Sequence, residues 1–225
     1  MPVIRLYHGS KKGIQGNIRP DTSRGECDFG CGFYTGDKPD QPRGLIAAWP
    51  GHRFYVLDCN LAGLNVKKFG EDYVEQMDWA LFIAYNRGKI DKETYPALAK
   101  RYEAYNRDYD VIAGLIANDK MYQIIDEFFN MNVCDRGFLE ALTRVKLGSQ
   151  YVFKTVKACS DKHIKIVDEK KLSDAELKTA VAQEKNRKIQ TADIVPQIKV
   201  KYRHARDVKY FDEILEEWNE FGSRP

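Results

Sequence analysis

A histidine at the end of an apolar run is the residue whose position most favours chemistry. His8 follows the run of residues 3–7 and directly precedes Gly9 and Ser10. A neutral imidazole donates one hydrogen bond and accepts another, and glycine lets a ligand approach its backbone closely. The pattern fits either a ligand clamp or an ordinary histidine at a strand end, and position alone favours the ordinary histidine.

A glycine-rich segment at residues 25–36 is the second candidate, with four glycines in twelve positions. Such a segment does not form the interior of a helix or strand at low cost, so we expect tight turns or close approach of backbone to a ligand. It matches neither the P-loop nor a GxGxxG between a strand and a helix. Cys27 and Cys31 lack a second pair to complete four ligands, so we expect thiols and no metal site.

Short strands and amphipathic helices must position these residues. β-branched and aromatic runs predict strands at residues 3–7, 53–57, 109–116, 151–153 and 164–167. Apolar residues at helical spacing predict helices at 73–85, from Pro96, after Asp119, after Asp135, at 173–190 and at 211–221. Because strands and helices do not alternate regularly, an α+β fold is favoured over a doubly wound sheet.

Composition sets the broad class of the protein. Its 225 residues are 43% hydrophobic and 31% charged, with a net charge of +3, which is typical of a soluble globular chain and gives no sign of a polyanion binder. The sequence has no run of about 18 apolar residues, and its start does not resemble a signal peptide. Five cysteines without a CxxC motif favour free thiols, so we expect a cytoplasmic protein with no membrane association.

Three short motifs occur in order: LYHGS at residues 6–10, FGCGFYT at 29–35 and QYVF at 150–153. They resemble, in the same order, the motifs of ADP-ribosyltransferases of the poly(ADP-ribose) polymerase type. The chain more closely resembles, over about residues 3–159, a largely uncharacterised bacterial domain family of that superfamily. The resemblance implies an α+β core at 1–159 with a split antiparallel β-sheet and inserted helices, followed by a charged, mostly helical extension at 160–225.

The same resemblance implies NAD as a substrate. His8 would bond the adenosine-side ribose, the Gly9 backbone would hold the carboxamide, and Tyr34 would stack on the nicotinamide. Trp49 would form a second aromatic wall or, alternatively, an apolar anchor for a small helix. The residues implied to bind NAD are His8, Gly9, Ser10, Gly30, Gly32, Phe33, Tyr34 and Trp49.

The implied catalytic set is His8, Tyr34 and Gln150, and the last of these departs from the family pattern. That position usually carries a glutamate, which favours positive charge on the nicotinamide-side ribose. Glutamine accepts the same hydrogen bond without a charge. The expected function is therefore mono-ADP-ribosylation of an unidentified protein or nucleic acid, not polymer elongation. The alternative is a weak or inactive module that binds NAD or ADP-ribose.

Charged segments near the end of the sequence suggest further partners. Basic residues at 185–188 and 199–206 could bind phosphates, although interleaved acidic residues favour an ordinary solvated surface. The acidic helix at 211–221 could fold back on the basic segment or bind a partner protein.

Overall fold

A computed structural model describes residues 3–23, 27–116, 119–145 and 148–222, without the side chains of residues 22, 119–122, 187–191 and 222. Parts of the predicted features therefore lie outside the described residues. These parts are Gly25 and Glu26 of the glycine-rich segment, and the side chains of Asp119, Met121, Tyr122, Arg187 and Lys188.

The described residues form one seven-stranded sheet, so the predicted α+β class is confirmed. Its order is β4-β5-β6-β2-β1-β3-β7. The strands are β1 (Val3–Ser10), β2 (Phe33–Gly36), β3 (Arg53–Asn60), β4 (Val66–Lys68), β5 (Val111–Leu115), β6 (Ser149–Phe153) and β7 (Ile164–Lys170).

The expectation of an antiparallel sheet is wrong at one edge. β4 and β5 pair in parallel, whereas the other described pairs are antiparallel. Two helices connect β4 to β5, and parallel neighbours need such a long crossover. The sheet is therefore mixed.

Eight α-helices are described, and each predicted helix is present. Asp72 caps the second helix by accepting a hydrogen bond from the Glu75 amide at 3.0 Å, and Pro96 begins the third. The helices are α1 (Asp40–Ile46), α2 (Tyr73–Asn86), α3 (Pro96–Asp108), α4 (Asp119–Phe129), α5 (Asp135–Arg144), α6 (Asp174–Ala192), α7 (Ile194–Tyr202) and α8 (Phe211–Gly222). None of the described helices is long and apolar enough to cross a membrane.

The sheet opens between β1 and β2. β1 pairs with β3 along its whole length, from Val3↔Asn60 to Ser10↔Arg53. In contrast, β1 and β2 are in register only at Tyr7↔Gly36. The two strands consequently diverge on one side of that pair, and their side chains line the gap.

The last two helices complete the main apolar core. The Phe129 and Phe211 ring centroids lie 4.8 Å apart, which joins α8 to α4. Asn219 of α8 accepts a hydrogen bond from the Ala97 amide at 3.0 Å, at the beginning of α3. The residues that α7 and α8 bury in this core are Ile194, Val195, Ile198, Phe211, Ile214 and Leu215.

Two lysines of the predicted basic segment are paired within the chain. Lys199 lies 2.6 Å from a carboxylate oxygen of Glu127. Lys201 lies 2.5 Å from Glu140, which also accepts a hydrogen bond from the Tyr202 hydroxyl at 2.8 Å. These contacts fasten α7 to α4 and α5.

We expect Ile198→Ala to lower the free energy of unfolding by about 2–5 kcal/mol, because it opens a cavity where α7 packs on α5. Val200→Ala is the matched control, since Ile198 is 1% exposed and Val200 is 77% exposed. Its expected effect is below about 0.5 kcal/mol. Urea unfolding of both variants measures the difference, and equal stabilities would contradict a shared core.

Candidate functional site

A cleft of about 380 Å³ lies where β1 and β2 diverge. This volume is within the range of small-molecule sites. Four predicted residues from three separate motifs line it together: His8, Gly9, Tyr34 and Gln150. The other lining residues are Tyr7, Cys27, Asp28, Thr35, Gly36, Gln41, Pro42, Leu45 and Arg87.

His8 bridges the gap between the two strands. Its Nδ1 lies 2.7 Å from the Tyr34 carbonyl oxygen. A carbonyl only accepts, so Nδ1 carries the proton. Burial lowers the pKa of His8 to about 4, and the hydrogen bond to Tyr34 only partly opposes this. The ring is therefore neutral at pH 7, which leaves Nε2 as a hydrogen-bond acceptor.

Tyr34 is fixed at its hydroxyl end. The hydroxyl donates to the Gly30 carbonyl at 2.7 Å and accepts from the Phe29 amide at 3.0 Å. Burial raises the pKa of Tyr34 well above its ordinary value, so the hydroxyl keeps its proton. The ring is thus held in a defined orientation at the cleft, as a stacking platform requires.

Two polar side chains, Asn86 and Lys154, anchor the backbone of the glycine-rich loop. Asn86 at the end of α2 donates to the Asp28 carbonyl at 3.1 Å. Lys154, just after β6, donates to the Phe29 carbonyl and, at 2.8 Å, to Asn106 of α3. Burial lowers the pKa of Lys154 to about 8. These contacts hold the backbone of the loop at residues 28 and 29.

Gln150 lies in the sheet between two glycines. Its cross-strand partners are Gly36 on β2 and Gly114 on β5, so neither directly opposed residue has a side chain. The Gln150 side chain is buried, and its Nε2 donates to the Leu115 carbonyl at 3.4 Å. This places a neutral amide in the cleft.

Two of the predicted glycines have a packing role. A Cβ on Gly32 would lie 2.3 Å from Val152 Cγ1, so glycine at 32 lets β2 approach β6. Gly30 has a φ of +69°, and a Cβ there would lie 3.0 Å from the side chains of Asn86 and Asn106. Neither glycine lines the cleft.

Three further predicted residues also lie outside the cleft lining. The Phe33 ring is buried beside His8, with 4.4 Å between the ring centroids. Trp49 follows α1 and is 43% exposed, with the Lys11 ammonium 4.3 Å from its ring centroid. Ser10 ends β1 opposite Arg53.

The sequence reasoning missed an ion pair in the cleft. Arg87 Nε lies 2.9 Å from Asp28 Oδ1, and both side chains are largely buried. Burial raises the pKa of Asp28, while Arg87 and the amide of Gln150 oppose that rise. Asp28 lies within the glycine-rich segment, so an acidic residue in a predicted ligand-binding loop was a signal present in the sequence. Arg87 lies 59 positions downstream and carried no signal.

The two cysteines of the loop differ in exposure. Cys27 lines the cleft, whereas Cys31 is exposed and its thiol lies 3.4 Å from the Pro20 carbonyl oxygen. Among the described residues, no three His, Cys, Asp or Glu side chains are grouped as a metal site would require.

We expect the stability of the protein to depend on pH through His8. Its folded pKa of about 4 lies below the ordinary value of 6.5, so the unfolded chain binds the proton more readily. The free energy of unfolding should therefore decrease by about 3 kcal/mol as the pH is lowered from above 6.5 to 4. The variant His8→Asn can still donate to Tyr34 but does not titrate. Chemical unfolding at several pH values measures this loss, and parallel profiles for the two proteins would contradict it.

Comparison with known proteins identifies the family of the chain. No curated protein and no solved structure matched the sequence. A family model described as a protein of unknown function, DUF3990, matches residues 4–164. That range contains all the strands from β2 to β6 and every residue of the cleft. The chain belongs to the DUF3990 family.

Proposed function

We propose that the chain is an NAD-dependent mono-ADP-ribosyltransferase that modifies an unidentified protein or nucleic acid. One observation supports this most strongly. His8, Tyr34 and Gln150 come from three separate motifs, and all three line the same cleft.

The side chains of the cleft suit the parts of NAD. The acceptor nitrogen Nε2 of neutral His8 would accept a hydrogen bond from a ribose hydroxyl. The fixed ring of Tyr34 would stack on the cationic nicotinamide, an interaction of about 1–2 kcal/mol when water is excluded. Gly9 lies beyond the Tyr7↔Gly36 pair, on the side where β1 and β2 diverge. Its backbone would therefore be open to the cleft and would hold the carboxamide.

The reaction breaks the bond between nicotinamide and ribose. The bonding electrons leave with the nicotinamide nitrogen, and positive charge builds on the ribose ring. A nucleophilic oxygen, nitrogen or sulfur of the acceptor then bonds to the anomeric carbon and loses its proton. Gln150 would accept a hydrogen bond from a ribose hydroxyl while the charge develops.

The neutral side chain at position 150 favours a second candidate function. A cleft that holds NAD or ADP-ribose without breaking the nicotinamide bond needs no charge at that position. Binding without nicotinamide release distinguishes this module from the transferase.

We expect the purified protein to release nicotinamide from NAD, and we expect His8→Ala and Tyr34→Ala to abolish the release. Tyr210→Ala is the control, because this tyrosine does not line the cleft. Release should be measured by chromatography with and without cell extract, and folding by circular dichroism. A requirement for extract would indicate a macromolecular acceptor.

A rate retained in both cleft variants would refute the proposal. Calorimetric binding of NAD by a protein that releases no nicotinamide would instead favour the binding module. If the protein neither binds NAD nor releases nicotinamide, both candidate functions are wrong.

We expect Trp49→Ala to change the KM for NAD by less than about twofold, because the Trp49 ring lies outside the cleft lining. Steady-state release of nicotinamide measures this. A large rise in KM would show that Trp49 moves against the ligand as a second aromatic wall.

A further inference from the structure

We propose that Lys154 is a positioning residue for the ligand cleft, because it holds the two-residue segment Phe29–Gly30 that in turn fixes the Tyr34 ring. Lys154 does not line the cleft, and the motif resemblance assigns it no role. The inference rests on NAD binding in the cleft, which both candidate functions require. It goes beyond them by naming a residue outside the cleft that sets the affinity for the nicotinamide end of NAD.

The Tyr34 hydroxyl contacts both residues of this segment. It accepts a hydrogen bond from the Phe29 amide at 3.0 Å and donates one to the Gly30 carbonyl at 2.7 Å. The hydroxyl oxygen is the one polar atom of a tyrosine side chain, so these two bonds are the directional contacts of the ring. The orientation of the ring at the cleft therefore depends on where the backbone of residues 29 and 30 lies.

Lys154 holds the same segment through a different atom. It directly follows β6, the strand that pairs with β2, and its ammonium donates to the Phe29 carbonyl. Burial lowers the pKa of Lys154 to about 8, so the side chain is mostly charged at pH 7. A hydrogen bond from a charged donor is about twice as strong as one between neutral groups. Lys154 thus binds the carbonyl of the residue whose amide binds the Tyr34 hydroxyl.

Two asparagines attach the ammonium to the helices behind the loop. Lys154 donates to Asn106 Oδ1 at 2.8 Å, and Asn106 Nδ2 donates to Asn86 Oδ1, also at 2.8 Å. Asn86 Nδ2 in turn donates to the Phe82 carbonyl at 2.9 Å, one turn earlier in α2. Because α2 and α3 pack in the main apolar core, the lysine is held by the core and not by the loop alone.

The glycine at position 30 lets this polar cluster lie against the segment. A Cβ on Gly30 would lie 3.2 Å from Lys154 Nζ and 3.0 Å from the side-chain oxygens of Asn86 and Asn106. A side chain at this position would therefore push the cluster away from the backbone that it holds. The close approach indicates that the lysine, the two asparagines and the segment are packed as one unit.

Loop anchoring alone is the competing explanation. In that case Lys154 stabilises the fold and has no influence on the ligand through Tyr34. Both explanations predict that Lys154→Met lowers the thermal stability, because the Phe29 carbonyl loses its donor. They differ in the background of Tyr34→Phe, which keeps the ring but removes the hydroxyl that contacts the segment. If Lys154 acts through that hydroxyl, its replacement has no further effect on binding in this background.

The experiment is calorimetry at pH 7, which measures the Kd for NAD of the wild type, Lys154→Met, Tyr34→Phe and the double variant. We expect each single substitution to raise Kd about 5- to 30-fold, because the ring no longer stacks in a fixed orientation. We expect the double variant to bind no more weakly than Tyr34→Phe, because both substitutions break one chain of contacts.

Lys157→Met is the matched control. Lys157 also donates to a backbone carbonyl, that of Gly63 at 2.8 Å, but both residues lie outside the cleft. Its Kd for NAD should equal that of the wild type. Thermal unfolding of every variant distinguishes loss of the fold from loss of the contact. If Lys154→Met does not fold, Lys154→Gln replaces it, because glutamine still donates a hydrogen bond but carries no charge.

A raised Kd in both single variants, with no further rise in the double variant, supports the positioning role. Effects that multiply in the double variant overturn it in favour of loop anchoring, as does an unchanged Kd in either single variant. If the wild type does not bind NAD, both candidate functions are wrong and this inference with them. NAD binding without nicotinamide release overturns the transferase function alone, and the four Kd values then decide this inference by themselves.

Discussion

The hydrogen bond from the His8 ring to the Tyr34 carbonyl is the contact on which the cleft depends. β1 and β2 share a single registered pair, Tyr7↔Gly36, so backbone ladder bonds do not hold their diverging ends. The His8 imidazole crosses the gap instead, at 2.7 Å. Burial keeps the ring neutral. The contact therefore holds β2 and also places the proton on Nδ1, which leaves Nε2 to accept a hydrogen bond from a ligand. A protonated ring would keep the bridge but lose that acceptor.

Close packing around this gap gives the cleft its shape. A Cβ on Gly9 would lie 2.6 Å from the Pro42 carbonyl oxygen and 2.8 Å from Ile46 Cγ2, so α1 sits directly on β1. On the opposite side, Gly32 lets β2 approach β6. Gly9 and Gly32 are therefore required for the packing of α1, β1, β2 and β6 around the cleft as much as for any ligand. A pocket framed in this way is preorganised, which lowers the free-energy cost of ordering it when a ligand binds.

Local features were predictable from the sequence, whereas long-range pairings were not. The β-branched and aromatic run of residues 3–7 and the helical spacing in 73–85 predict a strand and a helix because each pattern needs only neighbouring residues. β4 has three residues, too few for a recognisable pattern. The Asp28–Arg87 pair joins positions 59 apart that no periodicity connects. The placement of Trp49 depends on the turn after α1, where its amide bonds to the Ile46 carbonyl at 3.0 Å, and residue type alone does not determine it.

The neutral residue at position 150 is physically consistent with an acid at position 28. A glutamate in place of Gln150 would put a second carboxylate in a buried cluster that already contains Asp28 and one arginine. Two carboxylates that share such a site do not both ionise at ordinary pH, because each raises the pKa of the other. A protonated glutamate at that position would then be no more negative than glutamine. Glutamine, in contrast, is uncharged at any pH; its amide nitrogen donates to the Leu115 carbonyl at 3.4 Å, and its oxygen can accept a hydrogen bond from a ligand. On these grounds an uncharged residue at position 150 suits a cleft whose lining already contains the Asp28–Arg87 ion pair.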